Sequence, residues 1–275
     1  MSKFRLPTEI PLEEYPPPST FIEEATSCVR EAAEKNITLR IMGGLGIYLH
    51  SQEFKQLWEK LSRLGERVFT DIDFASYGKF RQKSLDFFTK RGYNIDKRLQ
   101  MYYGTKRHIY FGEKVPMVEV FFDKLEMNHT INFSKRLETD SPTIPLTEML
   151  LQKLQMVKTN EKDIKDATVL LRAHDIGKTD NEIINLNALV QAGLLSDWGF
   201  YYTVATNLKK IIDFIPTCAV LNEDDRKVIE DRVNEIIHFL EGQPKSLGWK
   251  LRASVGTKKQ WYNNVEDWTL FRAQT

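Results

Sequence analysis

The chain has 275 residues, 41% of them apolar, which is enough for one large domain or two ordinary ones around a sizeable core. Its 39 basic and 38 acidic side chains leave a net charge of +1, so bulk electrostatics announces neither a nucleic-acid binder nor a membrane-surface protein, and any charged ligand must be recognised locally. Cys28 and Cys218 form no C-x-x-C pair and no run of about 18 apolar residues occurs, which argues against a zinc ribbon, a disulfide scaffold, export or a membrane span and for a reducing cytoplasm.

Pro7, Pro11, Pro16, Pro17 and Pro18 crowd residues 1–18, which predicts an extended surface arm. Ser19 or Thr20 is placed to cap a helix running to about Asn36. "ITLRIMGG" then reads as a short buried strand ending at glycines, and the helical pattern of residues 45–65 closes on Gly65. In "RVFTDIDFAS", residues 67–76, Val68, Ile72 and Phe74 mark a half-buried strand. Residues 79–91 predict a helix, and "RHIYFGEKVPMVEVFFD" a strand pair with its turn between Phe111 and Val115. From Leu146 onward five segments carry helical periodicity: 146–158, 161–174, 185–195, 197–215 and 223–242. The expectation is an α+β chain: an arm at 1–18, a mixed sheet with flanking helices at 19–140, and an all-helical part at 141–275 that closes a cleft against it.

Asp71 and Asp73 stand two apart in a strand, so both carboxylates project to one side with backbones about 6.6–7 Å apart. Side-by-side like charges are unfavourable unless water or a cation neutralises them; alone, such a pair is most simply a solvated strand face. Glu119, in a strand apolar on both parities, is expensive to ionise without a partner. A cation held jointly by Asp71, Asp73 and Glu119 answers both problems, and carboxylates with phosphate oxygens and water suit Mg²⁺. Asp123 shares their parity but sits where a turn opens. Gly43, Gly44 and Gly46 mark a strand-to-helix turn where backbone can approach phosphate closely, although neither a Walker loop nor G-x-G-x-x-G is present, since Leu49 stands at the third glycine. Lys153 falls within the apolar arc of its helix, as a cleft lysine or a snorkelling one. Asn160 reads as an N-cap with Asp163 at the third helical position, while Lys162 and Asp166 read as more exposed.

In this order (glycine turn, helix, R-x-x-x-D-I-D-F, an acid within "VEVFF", then "LLQKLQ" and "KDIKD" on helices) the chain resembles the nucleotidyltransferase superfamily of DNA polymerase β type. More narrowly it is similar to the bacterial AbiEii-like group, which includes type IV toxin nucleotidyltransferases. The likeness spans residues 37–175 by motif. It implies that Asp71, Asp73 and Glu119 hold two divalent ions, Mg²⁺ or Mn²⁺, one on the nucleoside triphosphate (NTP, ATP among them) and one at the acceptor hydroxyl. It also implies that Gly43 and Gly44 hold the triphosphate through backbone amides, and that Arg67 or Lys153 neutralises the leaving pyrophosphate. Lys153, Lys162 and Asp163 match the later Lys and Lys-Asp elements of the group. Two departures stand out: Gly43-Gly44 replaces the usual Gly-Ser, and the stretch from the glycines to Asp71 is longer than in compact members.

The implied reaction is metal-dependent transfer of a nucleoside monophosphate to a hydroxyl or phosphate acceptor, whether small molecule, protein side chain or RNA end, with an antitoxin-like protein as the partner a toxin relative would have. The competing expectations are a degenerate nucleotide- or partner-binding module and a metal-dependent phosphohydrolase. Outside this constellation, Tyr102, Tyr103, Lys106, Arg107, His108 and Tyr110 form either a base-stacking strip or a charged edge strand, and Lys258, Lys259, Trp261 and Tyr262 either an acceptor surface or a docking tail. No two of the five histidines stand at metal-ligand spacing, so no zinc site is expected.

Overall fold

Residues 5–62 and 65–265 are described by the structure, a computed structural model. Helix α1 (Pro18–Glu34) leads into strand β1 (Leu39–Met42), then α2 (Gly43–His50), α3 (Lys55–Lys60), β2 (Ile72–Ser76), α4 (Arg81–Lys90), β3 (Asn94–Ile95), α5 (Lys97–Tyr103), β4 (Arg107–Phe111) and β5 (Met117–Phe122). The five strands make one sheet in the order β1-β2-β5-β4-β3, with β2 and β5 parallel and the other pairs antiparallel. The mixed sheet and flanking helices are as expected, and so is the β4–β5 hairpin.

Strand alternation divides the sheet faces cleanly. Phe74, Val118, Val120 and Tyr110 are fully buried on one face, where Phe88 of α4 packs its ring 5.9 Å from Phe74 and 4.7 Å from Tyr110. The opposite face carries Asp73 and Glu119; its far end is closed by a second small core of Leu99 and Tyr103 from α5 against Ile109, Phe111 and Met117.

Three local expectations are corrected. Helix α1 starts at Pro18 with Pro17 in the cap position, not at Ser19 or Thr20; a proline there loses only an N–H that has no helical acceptor anyway. The arm is not extended on the surface: it folds into two 3₁₀ turns, buries Pro7 and Ile10, and packs Leu6 on the second core. The helix expected at 45–65 is interrupted at Ser51, where φ −102° and ψ 38° leave the helical region, so it comes as α2, a 3₁₀ turn and α3.

Beyond the sheet, β6 (Lys124–Glu126) and β7 (Thr130–Asn132) form a hairpin, followed by α6 (Leu146–Leu154), α7 (Glu161–Ala173), a short parallel pair β8 (Ile176–Gly177) and β9 (Ile184–Asn185), and then α8 (Leu186–Leu189), α9 (Trp198–Phe214), α10 (Glu223–Gly242) and α11 (Leu247–Val255). The periodic segment 185–195 yields only the short α8 and a π turn, broken where Gly193 takes φ +102°. Asn160, Asn185, Asp197, Asn222 and Ser246 each cap the helix that follows, accepting from its free backbone N–H groups. The core crosses the 140/141 boundary: Phe74 and Val120 of the sheet belong to the same buried cluster as Leu150, Val169, Leu208 and Ile236 of the helices. Helix α6 lies tight on α2, since a side-chain carbon at Gly46 would come 2.8 Å from Met149 Cε. No helix among the described residues is long and apolar enough to cross a membrane.

Candidate active site

Asp73 and Glu119 are direct register partners across the parallel β2–β5 pair, so their side chains leave the same face of the sheet. Asp71 lies one residue before β2, outside the ladder, and its carboxylate accepts from Thr70 Oγ1 at 3.1 Å. Burial, then the neighbouring charges of Asp71 and Glu119, push the Asp73 carboxyl well above the usual carboxylate range, with Lys153 and Lys162 pulling it back. Such crowding is what a bound cation relieves.

Glu119 meets a different partner from the one expected. At 6% exposure it is buried, and its Oε2 accepts from Arg107 Nη1 at 3.1 Å, Arg107 projecting from β4 on the same sheet face. The arginine supplies the countercharge, and the three acids do not draw together as a trio within 4.8 Å. Glu119 thus shares the sheet face of Asp73 and also carries a cross-strand ion pair to Arg107. Sequence reading missed Arg107 in this role because its signal, an arginine on the parity facing Glu119, needs the β4–β5 register to be known.

The glycine bend does meet the acids. Gly43 has φ +69°, and a side-chain carbon there would sit 2.5 Å from Asp73 Oδ2, so the start of α2 is pressed onto the carboxylate. The Gly43 amide donates to Gln152 Oε1 of α6 at 3.0 Å. Gly44, Met42, Leu45, Phe69, Thr70, Asp71, Asp73, Lys153 and Lys162 enclose a cavity of about 70 Å³. Two expected elements, the glycine turn and the lysines, therefore converge on the aspartates.

Lys153, 6% exposed, contacts Asp163 Oδ1 at 3.2 Å and Asp166 Oδ2 at 2.9 Å. Asn160 caps α7 by accepting from the Asp163 amide at 2.8 Å, as its sequence position predicts. Asp166, expected to be exposed, is 1% exposed. It lies three residues after Asp163, on the same helical face, and both carboxylates meet the lysine of α6. Lys162 is half-buried and lines the cavity.

Other candidates are placed elsewhere. Arg67 holds the arm: its Nη2 donates to the Ile10 carbonyl at 2.7 Å, and its guanidinium lies 5.2 Å from the Tyr15 ring centroid. Asp123 accepts from the Gly78 amide at 2.8 Å in a turn. Tyr110 and His108 are buried on the far face and Tyr103 in the second core, which leaves Tyr102 as the exposed aromatic of the 102–110 segment. Trp261 docks on α9, donating from Nε1 to Thr203 Oγ1 at 3.1 Å, which makes the 256–264 segment a tail bound to its own chain. Cys28 and Cys218 are buried free thiols.

Neither a family model nor a curated protein matches this sequence. Among solved structures, a likeness is found to the crystal structure of an antigenic nucleotidyltransferase-like protein from Paracoccidioides brasiliensis, with 13% identity and a TM-score of 0.40 over 85% of this chain and 97% of that one.

Proposed function

We propose that the chain is a metal-dependent nucleotidyltransferase that moves a nucleoside monophosphate from a nucleoside triphosphate to a hydroxyl or phosphate acceptor. One observation carries the reading: Asp73 stands in register with Glu119, in contact with the glycine bend at Gly43, in a cavity shared with Asp71, Lys153 and Lys162.

The oxygen donors of Asp71 and Asp73 fit Mg²⁺ or Mn²⁺, and the like-charge crowding at Asp73 is the feature that such an ion relieves. When bound, the ion supplies charge neutralisation to the phosphate oxygens and activation of the acceptor oxygen. A cavity of about 70 Å³ holds an ion and its waters but not a nucleotide, for which sites of roughly 300–1,000 Å³ are usual, so base and sugar lie outside its mouth. Gly44 at the first turn of α2 presents backbone to the phosphates, and the eight-residue helix adds its positive end. The acceptor oxygen forms a bond to the α-phosphorus as the bond to pyrophosphate breaks, and Lys162 faces the charge growing there. Lys153, clamped by Asp163 and Asp166, keeps a fixed positive charge at the cavity wall. Arg107 sets the position of Glu119.

Incubating the protein with each labelled triphosphate, Mg²⁺ or Mn²⁺ and a cell extract tests this. Label is expected on an acceptor, with pyrophosphate released, and Asp73→Ala lowers the rate by about 100-fold or more. Equal labelling by both proteins sinks the assignment, and release of free monophosphate makes the protein a phosphohydrolase. A second reading, a nucleotide-binding module without catalysis, is favoured by the arginine on Glu119 and the glutamine on the Gly43 amide; it predicts triphosphate binding indifferent to Mg²⁺.

A further inference from the structure

The histidines are the group that the chemistry above leaves unused. His50 is the last residue of α2, His174 follows the end of α7, and Glu182 lies in the loop between β8 and β9. His50 lies far from the other two in the chain, which is why spacing gave no hint of the group. In the fold, one ligand atom from each lies within 4.8 Å of the other two, an arrangement that no other His, Cys, Asp and Glu trio among the described residues attains. His50 Nδ1 is 3.2 Å from Glu182 Oε2, and the two imidazole rings stand edge to face at 5.8 Å between centroids.

His174 makes the cluster more than an ion pair. The residue is 7% exposed, and its Nε2 is buried with no hydrogen-bond partner. A buried polar nitrogen left unsatisfied is costly and calls for an explanation. If the cluster were only a protonated His50 between two carboxylates, Asp140 and Glu182 would explain His50 and leave His174 Nε2 without a role. A cation bound by both rings explains both.

We propose that His50, His174 and Glu182 bind one transition-metal dication of the zinc class, separate from the acid site at Asp71 and Asp73. Two imidazole nitrogens and one carboxylate oxygen are a donor set that zinc takes, whereas Mg²⁺ prefers oxygen alone. Zinc–ligand bonds of about 2.0–2.2 Å in a tetrahedron put neighbouring ligand atoms roughly 3.3–3.6 Å apart, close to the 3.2 Å between His50 Nδ1 and Glu182 Oε2. The surrounding groups are those that orient metal-bound imidazoles: His50 Nε2 faces Thr143 Oγ1 at 2.6 Å and Asp140 Oδ2 at 3.3 Å, leaving Nδ1 for the ion. The Glu182 side chain is 62% exposed, so the fourth position opens to solvent and takes water. An ion here ties the ends of α2 and α7 to the β8–β9 loop.

The full chain, stripped with a chelator, is titrated with Zn²⁺ against a chromophoric competitor and with Co²⁺ as an absorbing probe. One tight equivalent is expected, with visible Co²⁺ bands of a four-coordinate N/O site and a raised unfolding temperature. His174→Ala and Glu182→Gln are each expected to weaken Zn²⁺ binding by about tenfold or more, while Asp73→Ala leaves it unchanged. Glu182 is exposed, so its variant keeps the fold and reads the site even if His174→Ala does not. Absence of a tight equivalent, undiminished binding in E182Q, or loss of binding in D73A overturns the proposal.

Discussion

Gly43 is the residue on which the acid site is most tightly built. Its φ of +69° is a left-handed conformation that side chains rarely adopt, and a carbon added there would meet Asp73 Oδ2 at 2.5 Å. Gly43→Ala is therefore expected to lower stability by about 1–3 kcal/mol and to displace the carboxylate it touches. In the transfer assay its activity should fall by more than that loss of stability accounts for, measured at a temperature where circular dichroism shows the variant folded. The lysine opposite teaches the complementary lesson. Its place on an apolar helical stripe was visible in the sequence, but the two buried aspartates that hold it there were not both visible, because Asp166 shows no apolar surroundings until α6 is packed against α7.

At the scale of elements, short polar bridges set how the helical part sits on the sheet. Gln152 of α6 takes the first amide of α2, and Met149 fills the space that Gly46 leaves. Arg136, in the turn after β7, binds Glu148 of α6 through Nε at 2.5 Å and Asp180 of the β8–β9 loop through Nη2 at 2.7 Å. Burial pushes the Glu148 carboxyl up despite that partner, so the arginine is what makes its charge tolerable. Arg136→Ala removes one partner of a buried pair, for which about 3 kcal/mol of destabilisation is expected. Hydrogen exchange locates the effect: amides of 176–185 should exchange faster in the variant while those of β2 and β5 stay protected. Equal loosening of the sheet would show that the bridge is global rather than local.

For the molecule as a whole, His108 and His129 give stability a pH dependence whose sign is fixed. Burial, with Arg81 nearby, pushes His108 from its usual 6.5 down to about 4, and burial does the same to His129. Between those values the unfolded chain binds protons that the fold refuses, so their contribution is intact above pH 6.5 and is lost as pH falls through about 4. Denaturant midpoints are expected to drop over that window, and His108→Phe should flatten the slope; an unchanged slope would refute the assignment. The sequence by itself determined the central strands, most of the long helices and the face that Asp73 and Glu119 share, because strand alternation, helical periodicity and caps such as Asn160 are written between near neighbours. Tertiary structure alone decided the partners: Arg107 for Glu119, Gln152 for the Gly43 amide, the arm for Arg67, and His174 for His50. Countercharges and ligands come from wherever the fold brings a side chain within a few ångströms, and neither periodicity nor spacing carries that distance.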